Sequence, residues 1–307
     1  MLTTQSSGRR LVLVFAWAVI LLISDLPNVL LDAFIGQAPA WLFWAKVGVL
    51  GAGLALCLLW KPIHPLWQFM LVFLVFYLAL AASDWIGASP FWQARFEVPS
   101  SAEHSWSNFT LGYLGFHLRD LGVALAVIAA LFFVKRSWSA FYLVKGHMDA
   151  SIQPVRWLGI KQGESWRLFG WIFTACAGAI IFFVVLLSTP LSADILQRAA
   201  PYFPLAILLS AVNAFAEESY YRLSMLSTLR DLVGDNQALL LNVVFFGLAH
   251  YLVGSPPGIL GAALTGFLAF LMGKSILETR GVLWAWIIHF VPDVFIFASY
   301  ALVWVGN

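Results

Sequence analysis

Charge is scarce in this sequence. Lys, Arg, Asp and Glu together make up 10% of its 307 residues while hydrophobic residues make up 62%, against roughly 25% charge in a soluble domain. With a mean hydropathy of +0.88, this excludes a soluble globular protein and points to a polytopic membrane protein. The 17 cations and 15 anions leave a net charge of +2, no basic excess with which to hold nucleic acid. Cysteine is nearly absent. Cys57 and Cys176 each fall in an apolar run, where a buried, inert thiol is expected rather than a disulfide or a metal ligand. Internal repeats, low-complexity tracts and a soluble domain are also missing.

What remains is a succession of apolar runs near the length that crosses ~30 Å of hydrocarbon. They fall at residues 11–31, 41–60, 66–82, 118–134, 168–188, 203–229, 237–253, 258–273 and 281–305. The expected fold is an all-α, polytopic transmembrane helical bundle of eight or nine spans, the lower count applying if Asp25 and Pro27 end the first run. Arg9-Arg10 before an apolar run resembles the start of a signal peptide, but no small-x-small cleavage site follows closely, and an uncleaved anchor explains the pattern. A cytoplasmic N-terminus puts 13 of the 17 cations in or toward inner loops, leaving Lys46, Arg95, Arg119 and Arg198 elsewhere. Lys46 is expected to snorkel to the interface, and His64, His104, His117 and His147 to be solvated.

Two connections are long. Residues 83–117, predicted outside, carry Trp85, Trp92 and Trp106 with Pro90 and Pro99, a pattern expected of an interface-lying loop. Residues 135–167, predicted inside, carry six cations with Trp138, Trp157 and Trp166, and are expected to hold a short amphipathic segment on the inner leaflet. A functional boundary is placed near Arg167: residues 1–167 form an N-terminal transmembrane region, and residues 168–307 hold every polar constellation at bilayer depth.

Those constellations are three. Ala216-Glu217-Glu218-Ser219-Tyr220-Tyr221-Arg222 lies in an otherwise apolar run, where each ionisable group costs on the order of 2.5–3.5 kcal/mol and must face protein or a wet cavity. Glu218 and Arg222, at i and i+4, share a face and can pair. Glu217 points about 100° away and is free to act as an acid or base. Phe246-Gly-Leu-Ala-His250 places an imidazole in the following run, and His289-Phe-Val-Pro-Asp293 places an imidazole and a carboxylate one turn apart in the last. At 1.5 Å per residue, Glu217 and His250 each sit ~20 Å from the inner turn and His289 ~14 Å, with Asp293 one turn deeper. The three helices therefore bring these groups to similar depth.

In this order and spacing the motifs resemble the CAAX protease and bacteriocin-processing family of intramembrane glutamate endopeptidases, over about residues 203–297. The resemblance implies that Glu217 and His250 activate a water for attack on a peptide carbonyl. It implies that His289 and Asp293 stabilise the oxyanion or hold substrate, and that Glu218, Arg222 and Phe246 support the site. Asp293 stands where the eukaryotic prenyl endopeptidases carry Asn. An ionised carboxylate cannot donate to an oxyanion, so Asp293 is either protonated or serves to orient His289 as a charged donor. The implied partners are a membrane peptide or protein substrate and the lipid bilayer, with no cofactor, in a bacterial inner membrane. A zinc-dependent version, with His250, His289 and a carboxylate as ligands, is the alternative chemistry, although no His-Glu-x-x-His occurs. A non-catalytic peptide-binding or immunity factor and a proton-coupled carrier are the alternative functions. Gly-x-Ser-Gly and paired-aspartate protease signatures are absent, and Gly273-Lys274-Ser275 lacks the rest of a phosphate-binding loop.

Overall fold

A computed structural model describes residues 2–98, 104–189, 191–253 and 256–306; Pro99 lies outside them. The described chain is all-helical, apart from the isolated bridges Ser151–Ser165 and Val155–Ile160. In order the α-helices are α1 (Leu2–Ile23), α2 (Leu26–Ile35), α3 (Trp41–Leu59), α4 (Trp67–Gly87), α5 (Pro90–Phe96), α6 (Trp106–Lys135) and α7 (Trp166–Ser188). They continue as α8 (Ala193–Ala199), α9 (Phe203–Glu217), α10 (Ser224–Val233), α11 (Asp235–Ala249), α12 (Ile259–Thr279) and α13 (Leu283–Gly306).

Among the described residues, seven helical units are long and apolar enough to cross a membrane, and eight if the bent pair α1 and α2 is one span. That bend is 48° and falls at Ser24–Asp25, with Pro27 in the first turn of α2, where a proline's fixed φ is tolerated. The expected span at 237–253 becomes α11, only 15 residues long; at 1.5 Å per residue it rises ~22 Å, short of the ~30 Å of hydrocarbon. Serine hydroxyls set other starts: Ser89, Ser105, Ser165 and Ser192 each accept a backbone N–H in the first turn of α5, α6, α7 and α8, satisfying donors that a helix leaves open.

The face left outside is apolar. On α7 alone, Leu168, Trp171, Ile172, Ile180, Phe183 and Leu187 are exposed, a density of bare hydrophobic surface that lipid, not water, covers. Inside, one core joins both ends of the chain, with Phe69, Phe73 and Phe76 of α4 in the same cluster as Tyr220, Phe245 and Trp284. Phe76 stacks on Tyr220 at 5.0 Å.

Five expectations are corrected. Cys57 is buried as expected, but Cys176 is exposed, because it lies on α7, much of whose surface is left bare. The 83–117 connection is largely helical, since α4 runs to Gly87, α5 follows and α6 begins at Trp106; Trp85 and Trp106 are exposed as expected. The 135–167 segment holds no amphipathic helix. It is a folded cap burying Phe141, Ile152, Val155 and Ile160, tied to the α12–α13 turn by the bonds His147 N to Thr279 O (2.7 Å) and Val282 N to Val144 O (3.0 Å). Gly146, at φ +72°, packs its backbone directly against Gly281, an approach a side chain would block. Lys46 does not snorkel: it is buried, and its ammonium donates to Asp25 Oδ1 (2.9 Å) and Asn28 Oδ1 (2.5 Å), because the α1–α2 break brings a carboxylate within reach. His117 is buried too, with Nδ1 donating to the Tyr113 carbonyl at 2.7 Å, whereas His64, His104 and His147 are exposed.

Candidate active site

The first motif does not lie on a regular α-helix. α9 ends at Glu217, residues Glu218–Leu223 form a π-helical turn, and α10 resumes at Ser224. Such turns carry one residue more than the α-helical count and recur at functional sites. Hydroxyls line the same stretch: Ser210, Ser219, Ser224, Ser227 and Thr228 each donate to a carbonyl four residues back. In a bilayer such bonds satisfy both the hydroxyl and any carbonyl that a helical irregularity leaves open.

The turn buries an ion pair. Arg222 Nη1 lies 2.9 Å from Glu218 Oε1, and both side chains are 0% exposed. The guanidinium nitrogens form no aligned hydrogen bond, so charge and the face of Phe246, 4.1 Å from the guanidinium carbon, hold the group. A desolvated cation over an aromatic ring gains about 2 kcal/mol. Phe246 is thereby fixed as the floor beneath the charge.

α13 runs unbroken through Pro292 and presents His289 to this pair. His289 Nδ1 donates to Glu218 Oε1 at 2.9 Å, so one carboxylate oxygen serves both the guanidinium and the imidazole. The opposite ring nitrogen, Nε2, lies 3.6 Å from Glu217 Oε2 and 3.6 Å from Asp293 Oδ2. Both distances exceed a direct hydrogen bond. Glu217 Oε2 is buried without a hydrogen-bond partner. Three carboxylates thus share one guanidinium and one imidazole; Glu218 and Arg222 are fully buried, while Glu217, His289 and Asp293 keep side-chain exposures of 18%, 12% and 10%. Among the described residues, no three His, Cys, Asp or Glu side chains are grouped as metal ligands.

Residues 199–295 match the Rce1-like type II CAAX prenyl endopeptidase family model. This is the family that the three motifs resemble, and its match covers about a third of the chain. The Rce1-like segment contains Glu217, Glu218, Arg222, Phe246, His250, His289 and Asp293 and runs from the end of α8 into α13. The match suggests a CAAX-type protease, and the seven or more apolar helices make the chain an integral membrane protein. No curated protein and no solved structure matches the chain.

Within the Rce1-like segment, the geometry brings together Glu217, Glu218, Arg222, His289 and Asp293. His250 stands apart. It follows the last residue of α11, its Nδ1 donates to the Phe246 carbonyl at 3.0 Å, and its ring packs on that of Phe246 at 4.4 Å between centroids. Among the described residues it pairs with no carboxylate. With Nδ1 bound to a carbonyl, Nε2 is left as the basic atom of the neutral ring. Phe246 also meets the His289 ring, 6.5 Å between centroids, and so touches Arg222 and both imidazoles.

Three further residues were not foreseen. Asn213, one turn before Glu217 on α9, donates through Nδ2 to Asp293 Oδ2 at 3.0 Å and reaches Glu217 Oε1 at 3.5 Å. Its signal was a polar residue four positions ahead of the motif in an apolar run. His117 and Asp120 come from α6, which lies outside the Rce1-like segment and packs directly on α9, the helix that carries Glu217. No sequence pattern joins them to it.

Two cavities flank the Rce1-like segment. A groove of about 810 Å³ runs along α11 and α12, lined by apolar residues including Val243, Leu248, Ala263 and Phe267; it excludes the carboxylates but shares α11 with Phe246. A second, of about 190 Å³, is lined by Asp25, Asn28, Lys46, Tyr77, Tyr221 and Ala249; Tyr221 packs in turn on Phe246, 5.1 Å between ring centroids.

Proposed function

We propose that the protein is an intramembrane endopeptidase that hydrolyses a peptide bond of a membrane-associated peptide or protein with a water activated by Glu217. The carrying observation is that Glu217 Oε2 is buried, unpartnered and 3.6 Å from His289 Nε2. A carboxylate oxygen so placed accepts a proton from a water bound beside it. His289, oriented through Nδ1 by Glu218, presents Nε2 toward the same space as a donor to the developing oxyanion. Asp293, as a carboxylate, acts by orienting and charge-stabilising that imidazole. Glu218 and Arg222 hold the frame. Glu217, having taken the water's proton, hands it to the leaving amine, and His250, held against Phe246, is assigned to assist Glu217 in activating the water.

The apolar groove along α11 and α12 suits a lipid chain attached to the substrate, in keeping with the prenyl endopeptidases of the family description. We place the N-terminus in the cytoplasm on the distribution of cations and the protein in a bacterial inner membrane on the family resemblance, and keep residues 1–167 as a separate region by function. That His250, among the described residues, pairs with Phe246 and with no carboxylate favours one second reading, a site that binds peptide without cutting it. The zinc-dependent version of the hydrolysis predicts that turnover falls on chelation and returns with Zn²⁺.

The test is cleavage, by the purified protein in proteoliposomes, of internally quenched peptides with and without a prenyl chain. Glu217→Gln is expected to lower kcat by about 10²–10⁴-fold, the range for loss of a general base, with KM little changed. Turnover by Glu217→Gln at the wild-type rate would remove the basis of the reading. Peptide binding without cleavage by the wild type would favour the second one.

A further inference from the structure

Asp293 occupies a position at which the resembled prenyl endopeptidases carry an amide, and a carboxylate there has no proton to give when ionised. The site nevertheless holds an amide, from a different helix. Asn213 Nδ2 carries two protons and meets two carboxylates, Asp293 Oδ2 at 3.0 Å and Glu217 Oε1 at 3.5 Å. The atoms it takes matter. Oδ2 of Asp293 is the oxygen that faces His289 Nε2, so Asn213 sets how close that carboxylate comes to the ring. On Glu217 it approaches Oε1 and leaves Oε2, the oxygen turned toward His289, unpartnered. Two carboxylates converging on one imidazole nitrogen repel each other strongly in a low dielectric. A neutral donor facing both is what holds them at matched distances.

The placement follows from the helices. Asn213 and Glu217, at i and i+4, share a face of α9, and that face packs on α13, which carries His289 and Asp293.

Resting on the hydrolytic reading above, we infer that Asn213 supplies the amide that position 293 lacks, acting as the positioning residue for the Glu217 and Asp293 carboxylates. Without it, one carboxylate is drawn onto His289 Nε2 and the base oxygen is lost. The test is a double-mutant cycle in proteoliposomes on the internally quenched prenylated peptide. Asn213→Ala is expected to lower kcat by about 10²-fold, the scale of a 1 Å misplacement of reacting groups, with KM nearly unchanged. In an Asp293→Asn background the same change is expected to cost less than about 10-fold, because the substituted side chain is neutral and brings an amide of its own. Asn213→Asp, which keeps the shape and replaces donor by acceptor, is expected to lose at least as much as Asn213→Ala and to recover in the Asp293→Asn background; it carries the test if the alanine variant fails to fold.

Equal losses in both backgrounds, or no loss in the wild-type background, overturn the inference. Glu217→Gln run alongside separates the two levels. If it retains full turnover, the hydrolytic reading fails, and Asn213 is then judged by ¹⁵N NMR of histidine-labelled protein. The His289 Nε2 resonance, identified by its absence in His289→Gln, should move on Asn213→Ala and hold in Asp293→Asn with Asn213→Ala against Asp293→Asn alone. An unmoved resonance in the first comparison overturns the inference.

Discussion

Arg222 shows how a full charge survives at bilayer depth. Its partner Glu218 lies 2.9 Å away, both are 0% exposed, and Phe246 covers the guanidinium. Burying such a pair gains little over an apolar substitute, but removing one member strands the other. Arg222→Ala is therefore expected to lower stability by about 3–5 kcal/mol, measured by chemical denaturation in detergent micelles. Arg222→Lys is expected to recover only part of that, because an ammonium lacks the flat face that stacks on Phe246. This pair was legible in the sequence, since i and i+4 spacing is local. That Glu218 Oε1 also receives His289 Nδ1 was not, because the two residues are 71 positions apart and meet only through packing of α13.

Between residue and molecule stands the π-helical turn at Glu218–Leu223. It inserts a residue between α9, which carries Asn213 and Glu217, and α10. Each residue of an α-helix turns the chain by about 100°, so the insertion decides which way α9 faces relative to α10. Deleting Ser219, whose side chain is small and buried, lets the turn relax to regular α-helix. The deletion is expected to abolish peptide cleavage while leaving the span inserted, as read by activity beside protease protection. The apolar length hardly changes, but the register of Glu217 against His289 is lost. Similar reasoning explains α11. Its apolar run reads as a spanning segment, yet the helix stops at Ala249 and its C-terminal residues join the site. Gly247 packs against the backbone of Ala262 on α12, and Gly247→Leu is expected to destabilise the bundle by about 1–3 kcal/mol, the cost of overpacking, seen as a lowered thermal midpoint in detergent.

At the scale of the whole molecule, the two parts of the chain share one core, and α6 packs on α9, the helix that carries Glu217. The proposed orientation is testable independently of any activity. In a background with Cys57 and Cys176 replaced, Ser137→Cys is expected to react with a membrane-impermeant maleimide only after permeabilisation, and Ser192→Cys in intact cells. The reverse pattern would invert the orientation.

Composition alone settled that this chain is helical and lives in a bilayer, because an apolar environment leaves few other ways to satisfy a backbone. Local spacing settled which acid could pair with Arg222, and the depth of each motif settled that they could meet. Packing decided the rest: His289 ended between Glu217 and Glu218, Asn213 bridged Glu217 and Asp293, His250 turned to its own helix carbonyl, and Lys46 met Asp25. Each of these depends on the rotation of one helix about its axis relative to another. Interdigitating side chains distributed over the whole bundle set that angle, and no single stretch of sequence encodes it.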